Sequence, residues 1–230
     1  MARHIAVVED EADLAANCRS ALERQGFKVS VFADRPGALA AFRTRLPDLA
    51  IIDVGLGAEF EGGFELCREL RSLSPSVPII FLTARDSDFD VVSGLRLGAD
   101  DYLTKDISQP HMLARVNALF RRIDALNHAS HGNAELLTRG DLCIDLDRMS
   151  ATWKEQFLEL TVTELWILQA LARHPGHVKS RQQLMDAANV VLDDNTITSH
   201  IKRLRKKFQV IDTAFDGIKT AYGMGYRWDA

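Results

Sequence analysis

The chain has 230 residues, of which 47% are hydrophobic and 26% are charged, and its net charge is −4. This length fits two domains with ordinary cores, and no window approaches the ~18 apolar residues that a membrane span needs. The acidic balance does not by itself suggest a nucleic-acid partner, and three scattered cysteines without metal spacing predict a protein of the reducing cytoplasm.

The first half of the chain alternates between buried-strand and helical patterns. Strand patterns cover residues 4–10, 28–33, 49–54, 77–84 and 100–105. Helical patterns follow them over 12–27, 35–46, 64–73, 88–98 and 110–126. Such repeated strand–helix units predict an α/β fold with a five-stranded parallel, doubly wound sheet and helices on both faces.

A glycine-rich stretch, "LAIIDVGLGAEFEGG", follows the third predicted strand. It is not a dinucleotide-binding fingerprint, because Phe60 stands where the third glycine belongs. It also lacks the lysine ending of a nucleotide-phosphate loop. The residue in this stretch that we expect to carry chemistry is therefore Asp53.

Polar side chains end most of the predicted strands, where ligands of such sheets bind. These residues are Glu9, Asp10, Glu11, Asp53, Thr83 and Lys105. Clustered carboxylates repel one another, and their hard oxygen atoms suit Mg²⁺. We predict that these side chains converge in one crevice that binds a cation.

Four motifs in this half, "VVED", "IID", "LTA" and "GADDYLTK", resemble the receiver domain of bacterial two-component response regulators over residues 3–123. The resemblance implies that Asp53 accepts a phosphoryl group from a sensor histidine kinase. It also implies that Thr83 and Lys105 contact that group and that Tyr102 is the aromatic switch. The Mg²⁺ ligands that it implies are Glu9, Asp10, Asp53 and the backbone carbonyl of Gly55.

Two departures from the receiver pattern lie beside this site. The loop after Asp53 is slightly longer than usual and lacks a proline, and Asp106 replaces the proline that usually follows the lysine. A non-proline cis bond costs roughly 2.5–4 kcal/mol, so we expect a trans peptide before Asp106 and a reshaped loop. Asp106 could also draw Lys105 away from the phosphate, which leaves an atypically regulated receiver as an open alternative.

The second half begins with small, polar residues over 127–135, which are typical of a linker. Strand patterns then cover 142–146, 150–153 and 157–160, and helical patterns cover 160–176, 180–188 and 195–208. Capping boxes at Thr161 with Glu164 and at Ser180 with Gln183 predict two helix starts. The predicted organisation is a domain over 1–123, a linker over 124–137 and a second domain over 138–230.

The last predicted helix is amphipathic. Its apolar stripe consists of Ile197, Ile201, Leu204 and Phe208. We interpret the opposite face as one polar surface that carries Thr198, Ser199, Lys202, Arg203, Lys206 and Lys207. Short polar groups near the start of the helix could reach base edges, while the later cations would meet phosphates.

Three motifs, "LTVTELWILQALARHPG", "TSHIKRLRKKF" and "YGMGYRW", resemble the winged-helix effector domain of the OmpR/PhoB family, over about residues 138–229. The resemblance implies an α+β winged helix-turn-helix domain whose last helix enters the major groove of promoter DNA. The candidate contacts in that helix are Thr196, Thr198, Ser199, His200, Lys202, Arg203, Lys206 and Lys207. In the wing they are Thr220, Tyr222 and Arg227, with Tyr222 where arginine is common.

The resemblance implies further partners. Receivers of this type form homodimers through their fourth helix, fifth strand and fifth helix, and we expect intersubunit ion pairs from Asp100, Asp101 and Arg115. An activator would contact RNA polymerase through residues 189–194. His200, with no partner at ligand spacing, is not interpreted as a metal ligand.

The predicted function is a cytoplasmic, non-enzymatic transcription regulator whose dimerisation and DNA binding are shifted by phosphorylation of Asp53. Two alternatives stay open. One is a DNA-binding regulator that is independent of phosphorylation. The other is an aspartyl-phosphate phosphotransferase or phosphatase, although Gly55 occupies the position where such enzymes usually carry a second acid.

Overall fold

The structure is a computed structural model that describes residues 2–85, 87, 90, 93–95, 97–128, 136–146, 148–187 and 194–229, with the backbone alone for 122, 125–128 and 194–196. Contacts divide the chain into two compact units, Met1–Asn117 and Ala118–Ala230. Within the described ranges, none of the helices has the length and apolar character needed to cross a membrane.

The first unit is built on a parallel sheet in the order β2-β1-β3-β4-β5. Its strands are β1 (His4–Val8), β2 (Lys28–Phe32), β3 (Leu49–Ile52), β4 (Ile79–Thr83) and β5 (Asp101–Thr104). Its helices are α1 (Ala12–Arg24), α2 (Arg35–Thr44), α3 (Gly62–Leu73) and the start of α4 (Gln109–His128), which continues past Asn117. The predicted doubly wound α/β fold is confirmed.

The helix predicted over 88–98 lies partly outside the described residues. Asp90 and residues 93–95 have helical backbone, and residues 97–98 form a turn. Residues 88, 89, 91, 92 and 96 are not described.

The end of β3 is held by close packing against α3. A Cβ added at Gly63, near the start of α3, would lie 1.9 Å from the carbonyl oxygen of Asp53, so only glycine fits there. Phe64 packs edge-on against Phe81 of β4, with ring centroids 5.2 Å apart. These contacts fix the backbone that carries Asp53.

The second unit contains an antiparallel four-stranded sheet, three helices and a hairpin. The sheet strands are β6 (Leu136–Arg139), β7 (Leu142–Asp145), β8 (Ser150–Trp153) and β9 (Gln156–Leu158). The remaining elements are α5 (Val162–Ala172), α6 (Arg181–Ala187), α7 (Asp194–Ile211), β10 (Ile218–Ala221) and β11 (Gly225–Trp228). This arrangement confirms the predicted winged helix-turn-helix class.

The structure differs from the prediction around the linker. α4 continues to His128, so residues 124–128 are helical, and β6 takes up the last two residues of the predicted linker. Residues 129–135 are outside the described part of the chain. The short β6 has no strong pattern of its own because it depends on pairing with β7, where Thr138 lies opposite Cys143.

The core of the second unit is aromatic. Trp153, Phe208, Phe215 and Trp228 form one cluster in which Phe208 and Phe215 stack with centroids 4.1 Å apart. The predicted apolar stripe of α7 is buried, as expected. The capping box predicted at Thr161 is confirmed, and Ser180 and Gln183 exchange the two hydrogen bonds of the other.

Candidate functional site

Three carboxylates meet at the carboxyl ends of β1 and β3, which are neighbours in the sheet. Glu9, Asp10 and Asp53 each offer an oxygen, and these oxygens all lie within 4.8 Å of one another. Glu9 and Asp53 are buried, whereas Asp10 is exposed. The predicted acidic crevice is therefore present.

One ammonium group lies among these acids. Nζ of Lys105 is 2.8 Å from Oδ2 of Asp53 and 2.9 Å from a carboxylate oxygen of both Glu9 and Glu11. Burial lowers the pKa of Lys105, but the hydrogen bonds to Asp53, Glu11 and Glu9 outweigh it and leave that pKa raised. Burial also keeps the pKa of Glu9 above its ordinary value, although the bond from Lys105 opposes this.

The charge balance of the crevice favours a divalent cation. With Asp10 included, four carboxylates face the single ammonium of Lys105. Oδ1 of Asp53 is buried and accepts no hydrogen bond from the part of the chain that the structure describes. A cluster of hard oxygens with one unused buried oxygen fits Mg²⁺. The role of the Gly55 carbonyl as a ligand stays a prediction.

Thr83, predicted to contact the phosphoryl group, and Tyr102, the predicted switch, both contact Arg85, which follows β4. Thr83 is buried, and its Oγ1 lies 3.4 Å from the backbone nitrogen of Arg85, which donates to it. Tyr102 is buried in β5, and its hydroxyl donates to the backbone carbonyl of Arg85 at 3.1 Å. The structure thus brings Thr83 and Tyr102 to one backbone segment.

Asp106 does not compete for Lys105. Its carboxylate accepts a hydrogen bond from the hydroxyl of Thr104, while Lys105 reaches Asp53. The peptide before Asp106 is trans, as is every other peptide bond in the described ranges. The reshaped loop therefore keeps the lysine in the crevice.

The residues predicted for intersubunit ion pairs are engaged within the chain. Asp100 is fully buried, where it accepts from Arg71 at 2.9 Å and from the backbone nitrogen of Ile79 at 3.0 Å. Asp101 lies 3.6 Å from Arg115, and both are buried. Within this chain the Asp100 carboxylate holds β4, and intersubunit ion pairs of Asp100, Asp101 and Arg115 stay a prediction.

The exposed face of α7 is narrower than predicted. Thr198, Lys202 and Lys206 are exposed at successive four-residue steps, so they form one stripe along the helix. The hydroxyl of Thr198 lies 3.2 Å from that of Tyr226 in β11. Thr196 lies in the helix, but its side chain is outside the described set.

A second flank of α7 packs against α5. Glu164 is fully buried, with Oε1 2.9 Å from Nε of Arg203 and Oε2 2.6 Å from Nζ of Lys207. Nδ1 of His200 lies 2.5 Å from Arg203, and His200 has 0% exposure. Although burial raises the pKa of Glu164, Arg203 and Lys207 lower it to about 2.

This packing corrects the prediction of a single exposed polar face. Ser199 and His200 are buried, and Arg203 and Lys207 are directed to Glu164. The physical reason is that residues 200, 203 and 207 share a flank at three- and four-residue spacing, and this flank contacts α5 rather than solvent.

The β10–β11 hairpin lies beside α7. Arg205 donates to the carbonyl of Ile218 at 3.0 and 2.7 Å and to the hydroxyl of Thr220 at 2.8 Å. Tyr222 at the tip is 92% exposed, and Arg227 is exposed and pairs with Asp229 at 2.7 Å. The three predicted wing residues therefore lie on an accessible hairpin that is fixed to the helix.

Sequence reasoning missed two contributors to these sites. The backbone nitrogen of Gly57 binds Asp10, and Arg205 ties α7 to the hairpin. Glu11, which was predicted to lie in the crevice, binds Lys105. A backbone donor in a loop and a helix-to-hairpin contact leave no pattern in the sequence.

Comparison with known proteins agrees with the predicted domain type of both halves of the chain. The response regulator receiver domain family matches residues 5–117, and the family described as "Transcriptional regulatory protein, C terminal" matches residues 154–228. Transcriptional regulatory protein CreB of Escherichia coli (strain K12) is 38% identical over 96% of this chain and 95% of its own length. The alkaline phosphatase synthesis transcriptional regulatory protein PhoP of Bacillus subtilis (strain 168) is 38% identical over 99% of this chain and 97% of its own.

Solved structures have the same folds. The response regulator DrrB, described as a Thermotoga maritima OmpR/PhoB homologue, is 28% identical and has a TM-score of 0.53 with full coverage of both chains. A RitR mutant has a TM-score of 0.77 over 99% of both chains at 23% identity, which is a likeness of fold.

Proposed function

This chain belongs to the OmpR/PhoB type of two-component transcriptional response regulators, and from that premise we propose that Asp53 is its phosphoacceptor. The kinase donates a phosphoryl group, so a phosphorus–nitrogen bond of its phosphohistidine breaks as a bond forms to a carboxylate oxygen of Asp53. The imidazole leaves, and the product is an aspartyl phosphate.

One observation carries this proposal, namely the contact of 2.8 Å between Lys105 and Asp53 inside an acidic crevice. Lys105 is placed to neutralise charge on the transferred group, and Thr83 at the end of β4 is placed to donate to it. Glu9, Asp10 and Asp53 would hold Mg²⁺, which supplies further charge neutralisation when bound.

The output of the protein is DNA binding by its second unit. We propose that the exposed stripe of Thr198, Lys202 and Lys206 contacts promoter DNA. The β10–β11 hairpin beside it would contact the neighbouring sugar–phosphate backbone of the DNA. Lys202 and Lys206 offer cations to phosphates, and Thr198 offers a hydroxyl. Buried Ser199 and His200 would support this surface rather than contact bases.

Signal and output are connected through dimerisation in this proposal. Phosphorylation of Asp53 alters the contacts of Thr83 and Tyr102 and thereby shifts the monomer–dimer equilibrium. Two linked effector units then bind repeated half-sites with higher effective concentration. A contact of residues 189–194 with RNA polymerase remains a prediction, since residues 189–193 are not described.

The test of the phosphoacceptor is intact-mass spectrometry of the full chain after incubation with acetyl phosphate and Mg²⁺. We expect the wild type and an Asp13→Asn control, which alters an exposed acid of α1, to gain one phosphoryl group. Asp53→Asn should gain none, and chelation of Mg²⁺ should prevent the gain in the wild type and in Asp13→Asn. A wild-type chain that stays unmodified with every donor would contradict the proposal.

A phosphorylation-independent regulator is the second candidate function. Its support from the sequence was Asp106 and the altered loop after Asp53. The contact of Asp106 with Thr104 removes the first of these, because Lys105 remains beside Asp53. Promoter affinity and sedimentation of wild type and Asp53→Asn with phosphodonor distinguish the two, since only the proposed switch makes them differ.

We infer that the chain is not a turnover enzyme. Gly55, two residues after Asp53, has no side chain to act as a general acid or base. Continuous release of inorganic phosphate from acetyl phosphate, at many equivalents per chain, would contradict this inference.

A further inference from the structure

The loop between β3 and α3 is closed into a tight turn. Leu56 and Glu59 form an antiparallel bridge, with reciprocal backbone hydrogen bonds of 3.1 and 3.0 Å. Gly57 within this turn has a φ of 60°, a left-handed value that glycine adopts without strain. The residues that make this loop longer than usual therefore form a defined structure beside the acidic crevice.

One side of the turn holds a proposed cation ligand. The backbone nitrogen of Gly57 donates to Oδ2 of Asp10 at 3.0 Å. Asp10 is exposed, so burial does not fix its carboxylate, and this hydrogen bond restricts its orientation. The position of the turn thus determines where Asp10 points.

The other side of the turn is anchored by two arginines. The Arg85 guanidinium carbon lies 3.7 Å from the centroid of the Phe60 ring, and the same side chain donates to the Phe60 carbonyl. Arg35 binds Glu59 at 2.6 Å and also Glu69 of α3 at 3.2 Å. Phe60 is 76% exposed, so its contact with Arg85 rather than burial holds it.

Arg85 also contacts Thr83 and the predicted switch residue Tyr102. Its side chain lies on Phe60, while its backbone accepts from Tyr102 and donates to Thr83. A continuous set of contacts therefore runs from Asp10 through the turn and Phe60 to Arg85.

We propose that Phe60 and Arg85 form a clasp that holds the 55–61 turn in place, and that Phe60 is a positioning residue for the divalent cation through Asp10. This inference rests on the proposed function, because it takes the acidic crevice as the Mg²⁺ site. Phe60 does not touch the ion. It acts by keeping the Gly57 amide against Asp10.

The test uses the full chain and two measurements on Phe60→Ala. Hydrogen exchange of the peptide covering 55–61, without Mg²⁺, reports whether the clasp orders the turn. Calorimetric titration with Mg²⁺ alone reports the effect on the ion. We expect faster exchange in this peptide and a Mg²⁺ Kd raised about tenfold, as loss of a hydrogen bond to a ligating carboxylate does elsewhere.

Two further variants separate positioning from general destabilisation. Phe60→Trp retains a ring for Arg85 and should restore both slow exchange and Mg²⁺ affinity. Phe157→Ala removes a phenylalanine of similar exposure, 74%, in the second unit and should change neither. Recovery by Trp would not be expected if any side-chain replacement at residue 60 simply loosened the fold.

The outcomes are distinguishable. If Phe60→Ala binds Mg²⁺ as the wild type does and its 55–61 peptide exchanges at the same rate, the clasp is overturned while the phosphoacceptor stands. If the wild type itself binds no Mg²⁺, the proposed cation site and the positioning role fall together. Faster exchange with weaker Mg²⁺ binding and recovery by Phe60→Trp supports the clasp.

Discussion

The acidic crevice of the first unit and the Glu164 cluster of the second use the same groups in opposite proportions. In the crevice one ammonium, Lys105, faces several carboxylates. In the cluster one buried carboxylate, Glu164, faces the two cations Arg203 and Lys207. The first is short of positive charge, whereas the second has a surplus of it.

Because of this difference, the charges of the crevice can be altered by a ligand, whereas those of the Glu164 cluster are already neutralised within the chain. The excess of carboxylates in the crevice is relieved when a cation binds, and a phosphoryl group on Asp53 would rearrange it again. Glu164 already has two cations beside it, and its Oε2 also accepts from the backbone nitrogen of Thr161 at 2.9 Å, so it caps α5. Similar ion pairs thus belong to the signalling site in the first unit and stabilise the fold of the second.

The largest expected effect is on the stability of the second unit. Glu164→Ala leaves Arg203 and Lys207 without their buried partner, so we expect a loss of about 3–5 kcal/mol in the free energy of unfolding. All three tryptophans, Trp153, Trp166 and Trp228, belong to this unit, so urea unfolding followed by tryptophan fluorescence measures it.

Glu159→Ala, which alters an exposed acid near the start of α5, is the matched control for this variant and should change the free energy of unfolding by a few tenths of a kcal/mol. Equal midpoints for Glu164→Ala and the wild type would show that the buried cluster does not hold the unit together.

The acid dependence of the second unit should follow the same carboxylate. In the folded chain the pKa of Glu164, about 2, lies below its ordinary value of 4.5. The unfolded chain therefore binds more protons in this range, and the stability from Glu164 is present above about pH 5 and is lost as the pH falls toward the folded pKa.

Glu164→Gln removes this titration while retaining an oxygen for the Thr161 amide. We expect the unfolding free energy of the wild type to fall more than that of Glu164→Gln, by about 2 kcal/mol between pH 5 and pH 3 and by roughly 3 kcal/mol once the pH reaches the folded pKa. Parallel pH profiles for the two chains would contradict this assignment.

The two regions also differ in how far the sequence predicted them. Glu9, Asp10, Asp53 and Lys105 were predictable because each follows a buried strand, and parallel strands bring their carboxyl ends to one edge of the sheet. The apolar stripe of α7 and the capping box at Thr161 were predictable from local spacing.

The parts that could not be predicted depend on contacts between distant elements. Glu164 has a local role as a cap, which gave no sign that α7 would direct Arg203 and Lys207 to it. For the same reason the burial of Ser199, which was predicted to lie on the polar face, and of His200, a predicted DNA contact, was not foreseen. Helical spacing gives the apolar face of a helix but not which of its polar flanks another helix covers. Asp100, just before β5, shows the same limit, because its partner Arg71 lies in α3, far from it in sequence.

A smaller effect is expected from Mg²⁺, and it should be confined to the first unit. At about 100 times Kd, Mg²⁺ should add about 2.7 kcal/mol to the free energy of opening measured by hydrogen exchange in β1 and β3. Peptides of α5 and α7 should not respond, because the Glu164 cluster already has its cations.

Asp10→Asn removes a proposed ligand and should abolish the response to Mg²⁺, while Na⁺ at matched ionic strength should produce none in either chain. Equal stabilisation of both units by Mg²⁺ would remove the distinction drawn between the two sites.

The finest test uses two adjacent lysines of α7. Lys206 is exposed, whereas Lys207 binds Glu164. Lys206→Ala should lower the slope of log affinity against log salt for a mixed-sequence DNA duplex by about 1, with unchanged stability, because it removes one phosphate contact. Lys207→Ala should lower the stability of the second unit, because it leaves Glu164 with one cation fewer, and should change the salt slope less. If the two substitutions gave the same pair of results, the division of α7 into a DNA-facing stripe and a flank that holds Glu164 would be wrong, since neighbouring cations on one helix can differ in function only through what each faces.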